Sequence, residues 1–103
     1  MIHVIATITL HPGVREPYLE VFRWVTPLVR AEAGCIEYVA TIDVPTTVAV
    51  QDGPRDNVVT VVEKWESVEA LYAHSAAPHM VEYREKVKNF VTGVKLVVSQ
   101  AAF

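Results

Sequence analysis

The apolar residues of this chain change period along its length, and the order of those changes constrains the fold more than any other feature. Residues 2–10, IHVIATITL, alternate, with Ile2, Val4, Ala6 and Ile8 on one face of a strand and His3, Ile5 and Thr7 on the other. Both faces are fairly apolar, as for a strand covered on both sides. HPG at 11–13 is a turn. From about Val14 to Ala33 the spacing turns helical, placing Tyr18, Val21, Phe22, Val25, Leu28 and Val29 on one stripe, and Gly34 is a natural stop. Pro27 lies inside that helix, where a missing N–H and a steric clash cost about 3 kcal/mol, so a kink or break is expected near Arg23–Pro27.

CIEYVATID, residues 35–43, reads as a second strand with Ile36, Tyr38, Ala40 and Ile42 on one face. Residues 44–57 form a long connection with strand-like TTVAV inside it and a turn at DGPRDN. VVTVVEKW, residues 58–65, is a third strand. Ser67 is a suitable N-cap for a short helix to about Ser75, and Pro78 suits the first turn of another running to about Val91. Gly93 ends it, and residues 94–100 make the last strand. The order βαββαβ is the ferredoxin-like α+β arrangement: an antiparallel four-stranded sheet with two helices on one face, the second broken in two.

The chain of 103 residues is expected to be a single domain, large enough to bury roughly two-thirds of its unfolded surface. It is 51% hydrophobic and 20% charged, with a mean hydropathy of +0.26. That surplus calls for a cavity or an interface. The bare face of the sheet should be apolar, and the simplest cover is a second copy, so a homodimer through the sheet face is expected. No apolar run approaches the roughly 18 residues of a membrane span. The N-terminus lacks a signal-peptide pattern and Cys35 is the only cysteine, so a cytoplasmic protein is expected. A net charge of −3, with Arg84, Lys86 and Lys88 interleaved with Glu82 and Glu85, argues against nucleic acid.

The residues that could carry chemistry gather in EKWESVEALYAHSAAPH, residues 63–79. Glu63 and Trp65 point the same way from a strand. His74 follows Leu71 by three positions and leans toward the core, and His79 lies at the edge of the Met80–Tyr83–Val87 stripe. The break at AAP puts the two histidines on the lips of one elbow. A metal is not expected, because a His-x4-His pair split by proline is not a ligand pair on a rigid element. No phosphate-binding or dinucleotide motif is present, so no cofactor is expected. A neutral imidazole in an apolar cleft, near a carboxylate that orients one ring nitrogen, is a competent proton acceptor. Trp65 and Tyr83 offer flat faces for an aromatic ligand. Packing alone also accounts for each: a hydrogen-bonded core histidine, a core indole, a carboxylate paired with Lys or Arg.

Taken together, EAGCIEY, EKWES, ALYAH and APHMVEY resemble the antibiotic biosynthesis monooxygenase (ABM) family, from the first strand to about residue 98. The bacterial quinol monooxygenase branch is the nearest in pattern. The resemblance implies sheet-to-sheet dimers, the dimeric α/β barrel, and oxidation of a quinol or polyphenol by O2 without a cofactor. A deprotonated hydroquinone can pass an electron to triplet oxygen, given a dry pocket, aromatic walls and a base. On that reading His74 is the proton acceptor and Glu63 its orienting partner, a pairing inferred here beyond what the family implies. Trp65, Tyr38, Tyr83 and His79 position the substrate, and Phe22 and Met80 form pocket wall.

The same fold serves isomerases of phosphorylated diones, for which Arg23, Arg30 or Arg84 could hold the phosphate, and haem-degrading enzymes. The haem branch uses an asparagine on the first strand, which IHVIATITL lacks. A module that only binds small molecules stays open, because fold does not decide function. RNA binding is disfavoured, since VVTVVEKW has neither stacking aromatics nor the basic strand of an RNA-recognition sheet.

Overall fold

The alternation of residues 2–10 is realised as the central strand β1 (Ile2–Leu10), in a computed structural model that describes residues 1–103. β1 buries Ile2, Val4, Ala6, Ile8 and Leu10 toward the helices. Helix α1 (Arg15–Arg30) follows, then β2 (Cys35–Thr41), β3 (Val58–Trp65), α2 (Val68–Ala76), α3 (Pro78–Val87) and β4 (Val91–Ser99). All pairings are antiparallel and the sheet order is β2-β3-β1-β4, the ferredoxin-like arrangement. The helices pack on one face, over a cluster of 17 buried residues. No helix is long and apolar enough to cross a membrane.

α1 runs without a break through Pro27. Tyr18, Phe22, Val25 and Val29 lie on both sides of the proline and are buried, which outweighs one lost hydrogen bond. The Thr26 hydroxyl donates to the Phe22 carbonyl (2.7 Å) in the same turn. Two expected stripe members sit higher: Val21 is half-buried and Leu28 is exposed.

Ser67 caps α2 as its residue type demands, its Oγ accepting from the Ala70 amide at 3.1 Å. α3 begins at Pro78 but ends at Val87, four residues earlier than the sequence suggests. Phe90 and Val91 continue its helical spacing, yet Val91 pairs with Leu10 and opens β4. Gly93 therefore lies inside a strand and stops nothing. Residues 44–57 contain no strand; TTVAV has no partner to pair with, and a bidentate Arg55–Asp43 contact pins the loop (2.8 and 3.1 Å). β2 buries only Tyr38, because a register shift between Cys35 and Glu37 turns Ile36 out to solvent.

The open face of the sheet is less apolar than expected. By register it carries one row of Val39, Val62, Ile5 and Val97, flanked by Thr41, Thr60 and Thr7 and by a Lys64–Glu37 ion pair at 3.0 Å. Much of the exposed apolar surface lies elsewhere. Val94, Leu96 and Val98 of β4 point to the helix side but lie beyond the helices' cover, 48–57% exposed.

Candidate functional site

Between the sheet and the helices lies a cavity of about 190 Å3, open on the β4 side. Its floor is Val4, Ala6, Ile8 and Val61, and Val94 and Leu96 edge the opening. Phe22, Leu71, Met80 and Tyr83 close it from the helices, and Tyr38 from β2. Four groups bring hydrogen-bonding or charge to this apolar space beyond Tyr38 and Tyr83: Glu63, His74, Ser75 and Arg84. Arg84 is held by a bond from its guanidinium to the Ser75 carbonyl (2.9 Å).

The aromatic wall is ordered by mutual contact. Phe22 and Tyr38 stack at 5.3 Å, and Tyr83 meets Phe22 edge-on. The Tyr18 and Tyr83 hydroxyls share a hydrogen bond of 2.5 Å in the core. Burial pushes both phenols above their ordinary value, as it does Tyr38, so all three stay neutral at neutral pH.

Glu63 and Trp65 share a face of β3, as their spacing requires, and the indole Nε1–H donates to Glu63 Oε1 at 2.9 Å. Burial raises the Glu63 pKa above 4.5, opposed by the indole hydrogen bond and by His74, while Glu32 raises it further.

His74 is buried, with its ring 4.6 Å from that of Trp65 and 5.5 Å from that of Tyr38. Its Nδ1 faces Glu32, not Glu63, at 3.0 and 3.2 Å. The same carboxylate meets His79 Nε2 at 2.6 Å. The expected His74–Glu63 pairing is thereby corrected: Glu63 is engaged by its strand neighbour two residues on, and Glu32 reaches His74 from the turn after α1.

That reach depends on Gly34. It sits at φ +82°, and a Cβ there would lie 2.6 Å from Ala70 Cβ, so only glycine lets the turn pack against α2. The Gly34 carbonyl then accepts from the Glu66 amide at 2.9 Å.

Of the eight residues singled out in the sequence, six line the cavity: Phe22, Tyr38, Glu63, His74, Met80 and Tyr83. Trp65 and His79 do not. Trp65 is fully buried behind Glu63 and His74, and His79 lies on Glu32. Glu32 stood in the sequence reading only as the first residue of EAGCIEY, one of the motifs of the resemblance, and was given no role because nothing in its periodicity marks it. Of the three arginines considered for a phosphate, Arg84 borders the cavity, while Arg23 and Arg30 line a separate shallow groove between α1 and β2. Cys35 is half-buried, and its thiol is pushed above its ordinary pKa by burial and by the Glu32 and Glu63 carboxylates, against a smaller opposing effect of Arg30. No three His, Cys, Asp or Glu side chains are grouped as a metal ion would need.

Comparison with known proteins shows what the chain is similar to. The family model described as antibiotic biosynthesis monooxygenase matches residues 1–86. The probable quinol monooxygenase YgiN of Escherichia coli K12 is 36% identical over 102 residues, covering 97% of each chain. PA3566 from Pseudomonas aeruginosa superposes with a TM-score of 0.80 at 24% identity, over 99% of this chain and 94% of that one. Rv0793 from Mycobacterium tuberculosis gives a TM-score of 0.80 at 23% identity, over 99% and 95%.

Proposed function

The chain belongs to the antibiotic biosynthesis monooxygenase family, and on that premise we propose that its cavity binds a one-ring quinol and oxidises it with O2, with His74 as the base and no cofactor. The observation that carries the reading is the enclosure of one imidazole by an apolar, aromatic-walled cavity of single-ring size. An apolar protein cavity of about 150 Å3 already holds benzene, and this one measures about 190 Å3. The 36% identity to a probable quinol monooxygenase supports the same substrate class.

The chemistry needs a proton acceptor first. A phenolic hydroxyl titrates near 10 in water, like tyrosine, so at neutral pH the reactive anion forms only beside a base. His74 Nδ1 is occupied, which leaves Nε2 to take the proton. The anion passes one electron to triplet O2, the radical pair recombines, and a ring-bound peroxide forms. Breaking its O–O bond leaves one oxygen on the ring. The other departs as water, taking the proton returned from His74 and the hydrogen of the attacked ring carbon, whose C–H bond breaks. For hydroquinone itself the sum is hydroquinone plus O2 giving hydroxybenzoquinone plus water. All four electrons come from the ring, so no separate reductant is required. Glu63, on the same wall, accepts the second hydroxyl, and Phe22, Tyr38 and Tyr83 hold the ring. The apolar lining would keep water from the intermediates once the β4-side opening is covered.

Pairing of two copies through the sheet is part of this proposal. Its support is the apolar row at Ile5, Val62 and Val97. Sedimentation velocity checks it; a monomer at micromolar concentration would remove it.

The deciding experiment is oxygen uptake by protein freed of metals and cofactors, with benzo- and naphthohydroquinones, against buffer autoxidation. His74→Ala should lower kcat by about 10²–10⁴, the usual contribution of a general base. Uptake untouched by the substitution would remove His74 as the base. No uptake with any quinol would overturn the substrate class.

A further inference from the structure

Glu32 entered the sequence reading only as the first residue of EAGCIEY, with no role at the site, yet it is the side chain that joins the two histidines. It comes from the Ala31–Gly34 turn, His74 from α2 and His79 from the first turn of α3, so three separate segments meet at one carboxylate. Glu32 is 12% exposed, His74 6% and His79 20% by side chain, so the cluster grades from the interior toward solvent. Both contacts fall within hydrogen-bond range, and both converge on Oε2.

An ionised carboxylate offers only acceptors. Two ring nitrogens at 3.0 and 2.6 Å from the same oxygen must therefore both present N–H. In the neutral rings this fixes the tautomers: His74 carries its proton on Nδ1, and His79 on Nε2. For His74 the result is a lone pair on Nε2, the nitrogen not facing Glu32. The other charged groups around the pair are Glu63 from β3 and Arg84 from α3, which line the cavity with His74. Neither provides a hydrogen bond to either ring.

We propose that Glu32 and His79 are positioning residues for His74: Glu32 holds its ring in the Nδ1–H tautomer, so that Nε2 is the proton acceptor, and the His79 N–H holds Glu32 in place. The inference rests on His74 being the base of the proposed reaction, but its structural half stands apart from turnover. Once His74 takes a proton at Nε2 it becomes imidazolium, and the adjacent Glu32 carboxylate stabilises that charge. Without Glu32 the ring is free to turn or to adopt the other tautomer, which points an N–H at a substrate hydroxyl that must lose its proton.

The test combines ring 15N NMR of the labelled full chain with steady-state kinetics. At neutral pH the wild-type His74 should show a protonated Nδ1 and an unprotonated Nε2, and His79 the reverse. Glu32→Gln removes the negative charge that steadies the imidazolium and puts an NH2 in place of one carboxylate oxygen. Its kcat should fall roughly 100-fold with KM changed less than about threefold. His79→Ala should lower kcat about 10-fold, and His79→Gln, which keeps an N–H near the Nε2 position, should recover most of it. A purely structural role would not give rescue by glutamine together with an unchanged KM. An Nε2–H tautomer at His74 in the wild type would overturn the proposal, as would a Glu32→Gln protein with wild-type tautomers and kcat. If the tautomers are as stated and no quinol turns over, the positioning holds and the quinol reading falls. If quinols turn over and the tautomers differ, the reverse is true.

Discussion

Two carboxylates serve the same cavity, and the fold treats them in opposite ways. Glu63 lies in the sheet, in apolar surroundings with one indole N–H for company, and burial pushes its pKa up. Glu32 lies in a turn at the elbow of α2 and α3, with two imidazoles on it. The sheet side depends on packing: its polar group is tolerated because Trp65 fills the space behind it and donates one bond. The elbow side depends on alignment: three segments must arrive together for their polar groups to meet at one carboxylate. Damage to the sheet side should therefore appear as lost stability, and damage to the elbow as lost activity.

Trp65→Ala should break the sheet side most severely. It removes a fully buried indole and strands Glu63, and a cost of about 3–5 kcal/mol is expected, measured by urea unfolding. A loss under 1 kcal/mol would mean that the sheet side does not rest on packing. Gly34→Ala probes the elbow from the opposite direction. The positive φ and the approach to Ala70 force the turn off α2, costing about 1–3 kcal/mol. Any quinol turnover should fall by more than the stability loss accounts for, because Glu32 moves with the turn. Equal loss of both would erase the contrast.

Ser67→Ala removes the cap of the helix that carries His74 and should cost about 1 kcal/mol by thermal melting. The smallest effect has the opposite sign. Glu63 has a raised pKa in the folded state, so its favourable contribution is present below the unfolded value of 4.5 and is lost as pH rises through the folded one. Glu63→Gln keeps an acceptor for Trp65 and removes that loss. It should match the wild type near pH 4 and be more stable at pH 7, as melting curves across that range would show. A less stable variant at pH 7 would mean that the ionised carboxylate is better held than its surroundings suggest.

The same contrast explains what the sequence could tell. The sheet side is written locally: Glu63 and Trp65 two apart, alternation in β1 and β3, Ser67 before a helix. Period and cap chemistry were enough to order the elements and to bring Glu63, His74 and Tyr83 together; Phe22, Tyr38 and Met80 joined them through the family resemblance. The elbow is written at a distance. Glu32 lies 42 and 47 residues from its histidines, and no periodicity spans that gap. The errors have a similar origin. Phe90 and Val91 keep helical spacing, but pairing with β1 claims Val91 for a strand. Pro27 breaks helices on average, yet a stripe buried on both sides of it holds this one together.

Cys35 lends the two carboxylates a consequence beyond acid–base work. Quinones are electrophiles that alkylate thiolates far faster than thiols, so a chain releasing them, as proposed, would be exposed to attack by its own product. Glu32 and Glu63, together with burial, hold the Cys35 sulfur in its protonated form. The charges that prepare the cavity for a quinol would thus also protect the chain's one cysteine from the quinone that leaves it.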